Sequence, residues 1–194
     1  MEQVGMAIKN SDSSYGSVAK IFHWGMFLLI LTLVVVGFYM HGLPADTPEQ
    51  ATYKFGFYDL HKAFGILALI LVALRLGWRL SNPVPKMPEN MRKIELFSAH
   101  AMHVLLYVLM FAQPISGWLR SSYGGHAVEM FGLKIPALVG KDKAMEHFFH
   151  EAHEVLAFAL IAAFFLHVGA GLYHHFVRKD DVLRRMSPHG APSE

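Results

Sequence analysis

Four apolar stretches, about Ile21–His41, Phe57–Trp78, Phe97–Leu119 and His153–Val177, dominate this chain of 194 residues. Each is close to the roughly 20 residues that an α-helix needs to cross a bilayer core. Lipid offers no partner to backbone N–H and C=O groups, so such stretches must satisfy their hydrogen bonds internally, as helices do. Composition agrees: 54% of the residues are hydrophobic, mean hydropathy is +0.33, and 16% are charged, against roughly 25% in a typical soluble domain. The chain reads as an all-α integral membrane protein, a four-helix bundle with up-down topology.

The segments between the stretches divide the chain into a polar, Ser-rich N-terminal piece (residues 1–20), a four-span body (21–177) and a tail (178–194). The first apolar stretch is longer than a signal-peptide core and no small-residue cleavage site follows it, so it is expected to remain as the first span. Three prolines in Ser81–Pro88 end the second helix, because proline lacks the N–H that a helix interior needs. The connector from Arg120 to Ala152 is the longest and holds Gly124, Gly125, Pro136 and Gly140. A surface loop with a short amphipathic piece is expected there. No internal repeat stands out.

Lys and Arg flanks stay in the cytoplasm, which sets the orientation. The N-terminal piece, second connector and tail hold eleven (Lys9, Lys20, Arg75, Arg79, Lys86, Arg92, Lys93, Arg178, Lys179, Arg184, Arg185), and the other two connectors hold six. Both termini are therefore expected on the cytoplasmic side. A net charge of +2 does not argue for nucleic acid, since the basic residues flank apolar stretches and no basic patch with interleaved aromatics occurs. The absence of cysteine excludes disulfides, thiolate-ligated zinc, iron–sulfur clusters and covalently attached c-type haem. Any metal must be held by histidine or oxygen. Asp59, Glu95 and Glu154 lie near span ends, and no carboxylate lies near a span centre, which weighs against a histidine-lined ion or proton transporter.

Thirteen histidines remain to be explained. An ionisable side chain at membrane depth is costly and marks function by default. His153 and His167 lie fourteen residues apart on one apolar stretch, which puts them about 21 Å apart on nearly the same helix face. With sides assigned, His61, His147, His150 and His153 fall in an outer layer, and His23, His100, His103, His167, His174 and His175 in an inner one. Two layers suggest two metal centres. A haem b needs axial nitrogen ligands and an apolar slot, and two histidines from different helices leave no open position for oxygen, which favours electron transfer. His61 and His153 form the natural outer pair. Inside, His167 is one ligand, and depth leaves His23, His100 and His103 competing for the other place.

Ile21-Phe22-His23-Trp24, Leu60-His61-Lys62-Ala63-Phe64-Gly65-Ile66-Leu67 and Arg75-Leu76-Gly77-Trp78-Arg79 resemble the first half of the bacterial cytochrome b561 family. His103-Val104-Leu105-Leu106-Tyr107, Pro114-Ile115-Ser116-Gly117-Trp118-Leu119, His153-Glu154, His167 and the tail from His174 to Met186 are similar to its second half. The resemblance covers about Tyr15 to Met186. It implies a plasma-membrane protein with two haem b groups that exchanges electrons with quinone, and it pairs His23 with His167 and His61 with His153. It also allows oxidation of superoxide at the outer face.

Haem propionates need cationic or hydrogen-bonding partners. Arg75 and Arg79 are placed for the inner haem, Lys62 and Arg120 for the outer, and His100 and His103, three apart on one helix face, for a propionate or a quinone pocket. Tyr173, His174 and His175 are candidates to hydrogen-bond a quinone, since histidine titrates near neutral pH. Each has a plainer counterpart: interfacial rings in an aromatic belt, snorkelling cations, or a solvated helix end. Gly169 and Gly171 suit close helix contact and equally a porphyrin face. His147, His150 and His153, at every third residue, have a spacing that suits zinc, which haem ligation by His153 would break. The partners expected are lipid, quinone, an electron donor or acceptor of unstated identity, and a second copy or redox subunit. The alternative function is a haem b anchor subunit of a larger redox enzyme such as a hydrogenase or formate dehydrogenase.

Overall fold

Four long helices carry the apolar stretches in the computed structural model, which describes residues 7–88 and 91–187. Residues 1–6 of the expected N-terminal piece and 188–194 of the expected tail lie outside the described residues. The helices are α1 (Ser17–Gly42), α2 (Pro48–Ser81), α3 (Lys93–Gly124) and α4 (Lys143–Tyr173), the last continuing through a π-helical turn at His174–Arg178. All four are long and apolar enough to cross a membrane. The all-α, four-span expectation is met. Much of their apolar surface faces outward, as at Leu28, Val35, Phe158 and Phe165, which is what lipid-facing helices require.

The helices run past the apolar stretches because capping groups, not the hydropathy profile, fix their ends. At α2, Thr47 Oγ1 accepts from Gln50 N (3.2 Å) while Gln50 Oε1 accepts from Thr47 N (3.2 Å). This is a capping box, with Pro48 at the first helical position, where its missing N–H costs nothing. At α3, Glu95 accepts from Arg92 N (2.9 Å) and from the Arg92 guanidinium (2.7 Å), holding that guanidinium above its ordinary pKa. Asp142 Oδ1 caps α4 by accepting from the N–H groups of Ala144 and Met145. Pro114 sits inside α3, a tolerated position in a membrane helix.

The longest connector differs from expectation. α3 continues through Arg120 to Gly124 and α4 begins at Lys143, so the amphipathic piece is the first part of α4 itself. Between them lies a two-stranded hairpin, β1 (Val128–Met130) and β2 (Leu133–Ile135), paired antiparallel with Val128 opposite Ile135. Its turn residues, Phe131 and Gly132, both have left-handed φ angles (51° and 85°), the geometry of a tight turn whose twist matches the strands.

The chain divides into two units. The first comprises the described residues up to 25, Ala73–Tyr107 and those from 161 onward; the second comprises Met26–Val72 and Val108–Leu160. Each contains a segment of all four helices. In the first, the N-terminal segment holds the proline-rich connector: Asn10 Nδ2 donates to the Pro83 carbonyl (2.9 Å) and Lys86 N to the Asp12 carbonyl (2.8 Å). The short helix α5 (Val182–Met186) is tied to α1 by Trp24 Nε1, which donates to the Met186 carbonyl (2.9 Å).

Candidate haem-binding sites

In the second unit, His61 of α2 and His153 of α4 face each other with ring centroids 6.3 Å apart. His153 is tightly held. Its Nδ1 lies 3.0 Å from the Gln113 carbonyl and 2.9 Å from Ser116 Oγ, both on α3. Donation from Nδ1–H to that carbonyl leaves Nε2 as a bare acceptor, and it receives a hydrogen bond from Gln113 Nε2 (3.1 Å). A second partner on the far nitrogen is the standard way a protein fixes the tautomer of a metal-binding histidine. Gly117 packs against this ring: a Cβ there would lie 3.0 Å from His153 Cε1. Gly37 of α1 likewise backs His61, at 3.4 Å from Cε1. His61 Nδ1 is buried with no well-formed hydrogen bond, and the Leu33 carbonyl is the acceptor that faces the ring.

Around this pair, Arg120 is half-buried and close enough for its charge to reach both rings. Lys62 is occupied, pairing with Asp59 (2.7 Å) and donating to the Ala127 carbonyl beside the hairpin (3.1 Å). His147 is exposed. Among the described residues no three His, Asp or Glu side chains are grouped to hold a metal ion.

In the first unit, three histidines gather. His23 of α1 lies 6.2 Å from His167 of α4, ring centre to ring centre, and His103 of α3 lies 5.6 Å from His167. His100, the third competitor from sequence, points elsewhere, its Nδ1 donating to the Leu96 carbonyl (2.8 Å). Arg75 Nη2 donates to His23 Nδ1 (3.1 Å), and Arg75 and Arg79 both lie against the Tyr107 ring at 5.7 and 6.0 Å. No carboxylate pairs with Arg75 among the described residues. A half-buried cation on a membrane-spanning helix needs an anion. Nearby, a cavity of about 360 Å³ is lined by Tyr15, Arg79, Val84, Leu96, His100 and His103.

The three tail candidates separate. His174 is buried, and its Nδ1 is bound to Asp180 Oδ2 at 2.6 Å. His175 packs on Phe176 (4.8 Å), and Tyr173 is partly exposed. None of the three lines the cavity. Gln113, Ser116, Gly117 and Asp180 escape a reading of histidines alone. Gln113 carries the one available signal, an amide inside an apolar span.

Imidazole nitrogens bind a metal at about 2 Å, with each ring centre roughly 1 Å further back, so rings on opposite faces of one metal stand about 6 Å apart. The His61/His153 and His23/His167 pairs have that separation, and their donors are nitrogen alone, a set that suits haem b. Four membrane-spanning helices that bring histidines together in pairs define a membrane haem protein. The chain belongs to the prokaryotic cytochrome b561 family, whose profile matches residues 14–189. It is thus a multi-pass membrane haem b protein of electron transport. It is 33% identical over 189 residues to cytochrome b561 homolog 2 of Escherichia coli K12, covering 93% of this chain and 95% of that protein. Cytochrome b561 homolog 1 of the same organism is 30% identical over 173 residues (86% of this chain, 92% of that one). The probable superoxide oxidase CybB of Yersinia pestis is 29% identical over 166 residues, covering 86% and 91%.

Proposed function

We propose that the chain holds two haem b groups, one between His61 and His153 and one between His23 and His167, and passes electrons between a donor and membrane quinone. The observation that carries this reading is the near-equal spacing of the two ring pairs, 6.3 and 6.2 Å. Haem b supplies reversible one-electron chemistry, while the protein supplies ligands, orientation and charge.

At the first pair, the Gln113 carbonyl and Ser116 Oγ hold His153 Nδ1, so that Nε2 carries the lone pair, which an iron would take over from the Gln113 amide, and Arg120 offers a cation to a propionate. The second pair requires a rearrangement. Arginine only donates, so in its bond with Arg75, His23 Nδ1 is the acceptor and the ring proton sits on Nε2. To hold a haem iron through Nε2, His23 would carry its ring proton on Nδ1, which would free Arg75 to receive a propionate together with Arg79. His103, whose ring is 5.6 Å from that of His167, lies beside the pair. The paired arrangement follows the family resemblance of the Ile21–Trp24 segment.

The chain would sit in the bacterial plasma membrane with both termini in the cytoplasm, His61 and His153 toward the outer face and quinone met at the inner end. Superoxide is the donor to test first, on the strength of the Yersinia relative's name. Two superoxide ions each lose one electron to give dioxygen, and one quinone takes up both electrons with two protons to give quinol. His167→Ala should remove one haem spectrum from the purified chain while sparing much of the other. Unchanged haem content in that variant would contradict the ligand assignment.

A further inference from the structure

We propose that the turn of the β1–β2 hairpin, Phe131 with Leu133 beside it, rests in lipid at the headgroup–acyl boundary of the leaflet on its own side of the membrane. Both side chains are large, apolar and exposed, at 65% and 63%. Phe131 also holds a left-handed φ of 51°, a conformation that strains a bulky residue and that Asn or Gly adopts readily. Phe64 of α2 covers one side of its ring, with centroids 5.5 Å apart. The rest of the ring faces outward, and lipid is the apolar partner that the neighbouring span already meets.

Depth favours lipid over water. Asp59 of α2 is exposed and pairs with Lys62, which puts that turn of the helix at the polar surface. Phe64 lies five residues further into the span, about 7.5 Å deeper at 1.5 Å per residue. Amphipathic elements at a membrane interface bury their apolar side by about 5–10 Å, so the two depths agree. The hairpin is held at that level because both of its legs are tied to helices. The Ala127 carbonyl accepts from Lys62 Nζ, the Pro136 carbonyl from Trp118 Nε1, and Ser122 Oγ from Leu138 N, each at 3.1 Å. Tryptophan is itself enriched at membrane–water boundaries. The register is banded in the same sense: Met130 pairs with Leu133 next to the turn, and exposed Glu129 faces exposed Lys134 one step further back. The strand edges set the limit of insertion. Unpaired backbone groups of a two-stranded sheet find no partners in hydrocarbon, so the strands stay among headgroups and only the side chains at the turn reach acyl chains.

The chain has no cysteine, so a nitroxide on a single introduced cysteine reports one position. Phe131→Cys and Leu133→Cys are compared with Asp46→Cys, in the exposed connector before α2, and Val35→Cys, on the exposed apolar surface of α1. Each labelled, haem-loaded chain is placed in nanodiscs of phosphatidylethanolamine and phosphatidylglycerol. Power-saturation electron paramagnetic resonance then compares oxygen, which concentrates in lipid, with a water-soluble nickel chelate. Saturation referred to that under nitrogen removes the relaxation caused by the haems. The Phe131→Cys and Leu133→Cys labels should favour oxygen, as the Val35→Cys label does, and the Asp46→Cys label should favour nickel. Adding Phe131→Asp should shift the Leu133→Cys label to the nickel side, whereas Phe131→Leu should leave it with oxygen. Nickel preference at both hairpin positions overturns the proposal, as does a Leu133→Cys label that Phe131→Asp leaves unmoved. Labels closed to both agents overturn it in favour of a second copy of the chain covering the turn.

Discussion

Around His153, one ring is held by three neighbours: the Gln113 carbonyl, Ser116 Oγ and the bare backbone of Gly117. The histidines themselves were legible in the sequence because a titratable ring at membrane depth stands out against apolar surroundings. The neighbours were not, since a serine, a glycine and a carbonyl look alike in any span until the fold brings them to the ring. The choice between His23 and His103 was equally hidden: both lie about one metal's width from His167. Ser116→Ala should weaken haem retention at the His61/His153 site by about 10–100-fold, the usual cost of losing an outer-shell partner, measured by haem transfer to apomyoglobin. Gly117→Leu should abolish that site, because no Cβ fits beside His153 Cε1 without moving the ring. Full haem content in Gly117→Leu would show that His153 is not a ligand.

Among the elements, the four helices followed from hydropathy but their ends did not. Apolarity marks the part of a helix that lipid covers, whereas Thr47, Arg92 with Glu95, and Asp142 set where the helix begins. The hairpin was illegible for a local reason: its turn is Phe131-Gly132, with phenylalanine in the left-handed position where Asn or Asp is the usual signal. Phe131 packs on Phe64 of α2 with ring centres 5.5 Å apart, a contact that no short-range pattern announces. The end of α4 is a further case, for the π turn closes with Lys179 in the left-handed region and Asp180 folded back onto His174. Asp180→Ala leaves a buried histidine without its partner and should destabilise the fold around α5 by about 3 kcal/mol. The readouts are thermal unfolding in detergent and the emission of Trp24, which hydrogen-bonds Met186. The double variant His174→Ala/Asp180→Ala should recover part of the loss, since removing both members of a buried pair costs less than removing one. Additive losses would contradict a coupled pair.

For the whole molecule, the class of fold was legible from four stretches of nearly bilayer length, and the family resemblance from segments spread along them. Orientation rests on the distribution of Lys and Arg. A reporter that is active only outside the cytoplasm, fused after Met186, should be inactive, and the same reporter fused in the Gly132 turn should be active. The central claim is that paired histidines hold two haems in one chain. Pyridine haemochrome analysis of the detergent-purified protein, with a reduced-minus-oxidised spectrum and electron paramagnetic resonance, counts haem b per polypeptide and reports its spin state. Two low-spin haems per chain are predicted. One haem per chain, or a high-spin centre with an open coordination position, would contradict the account.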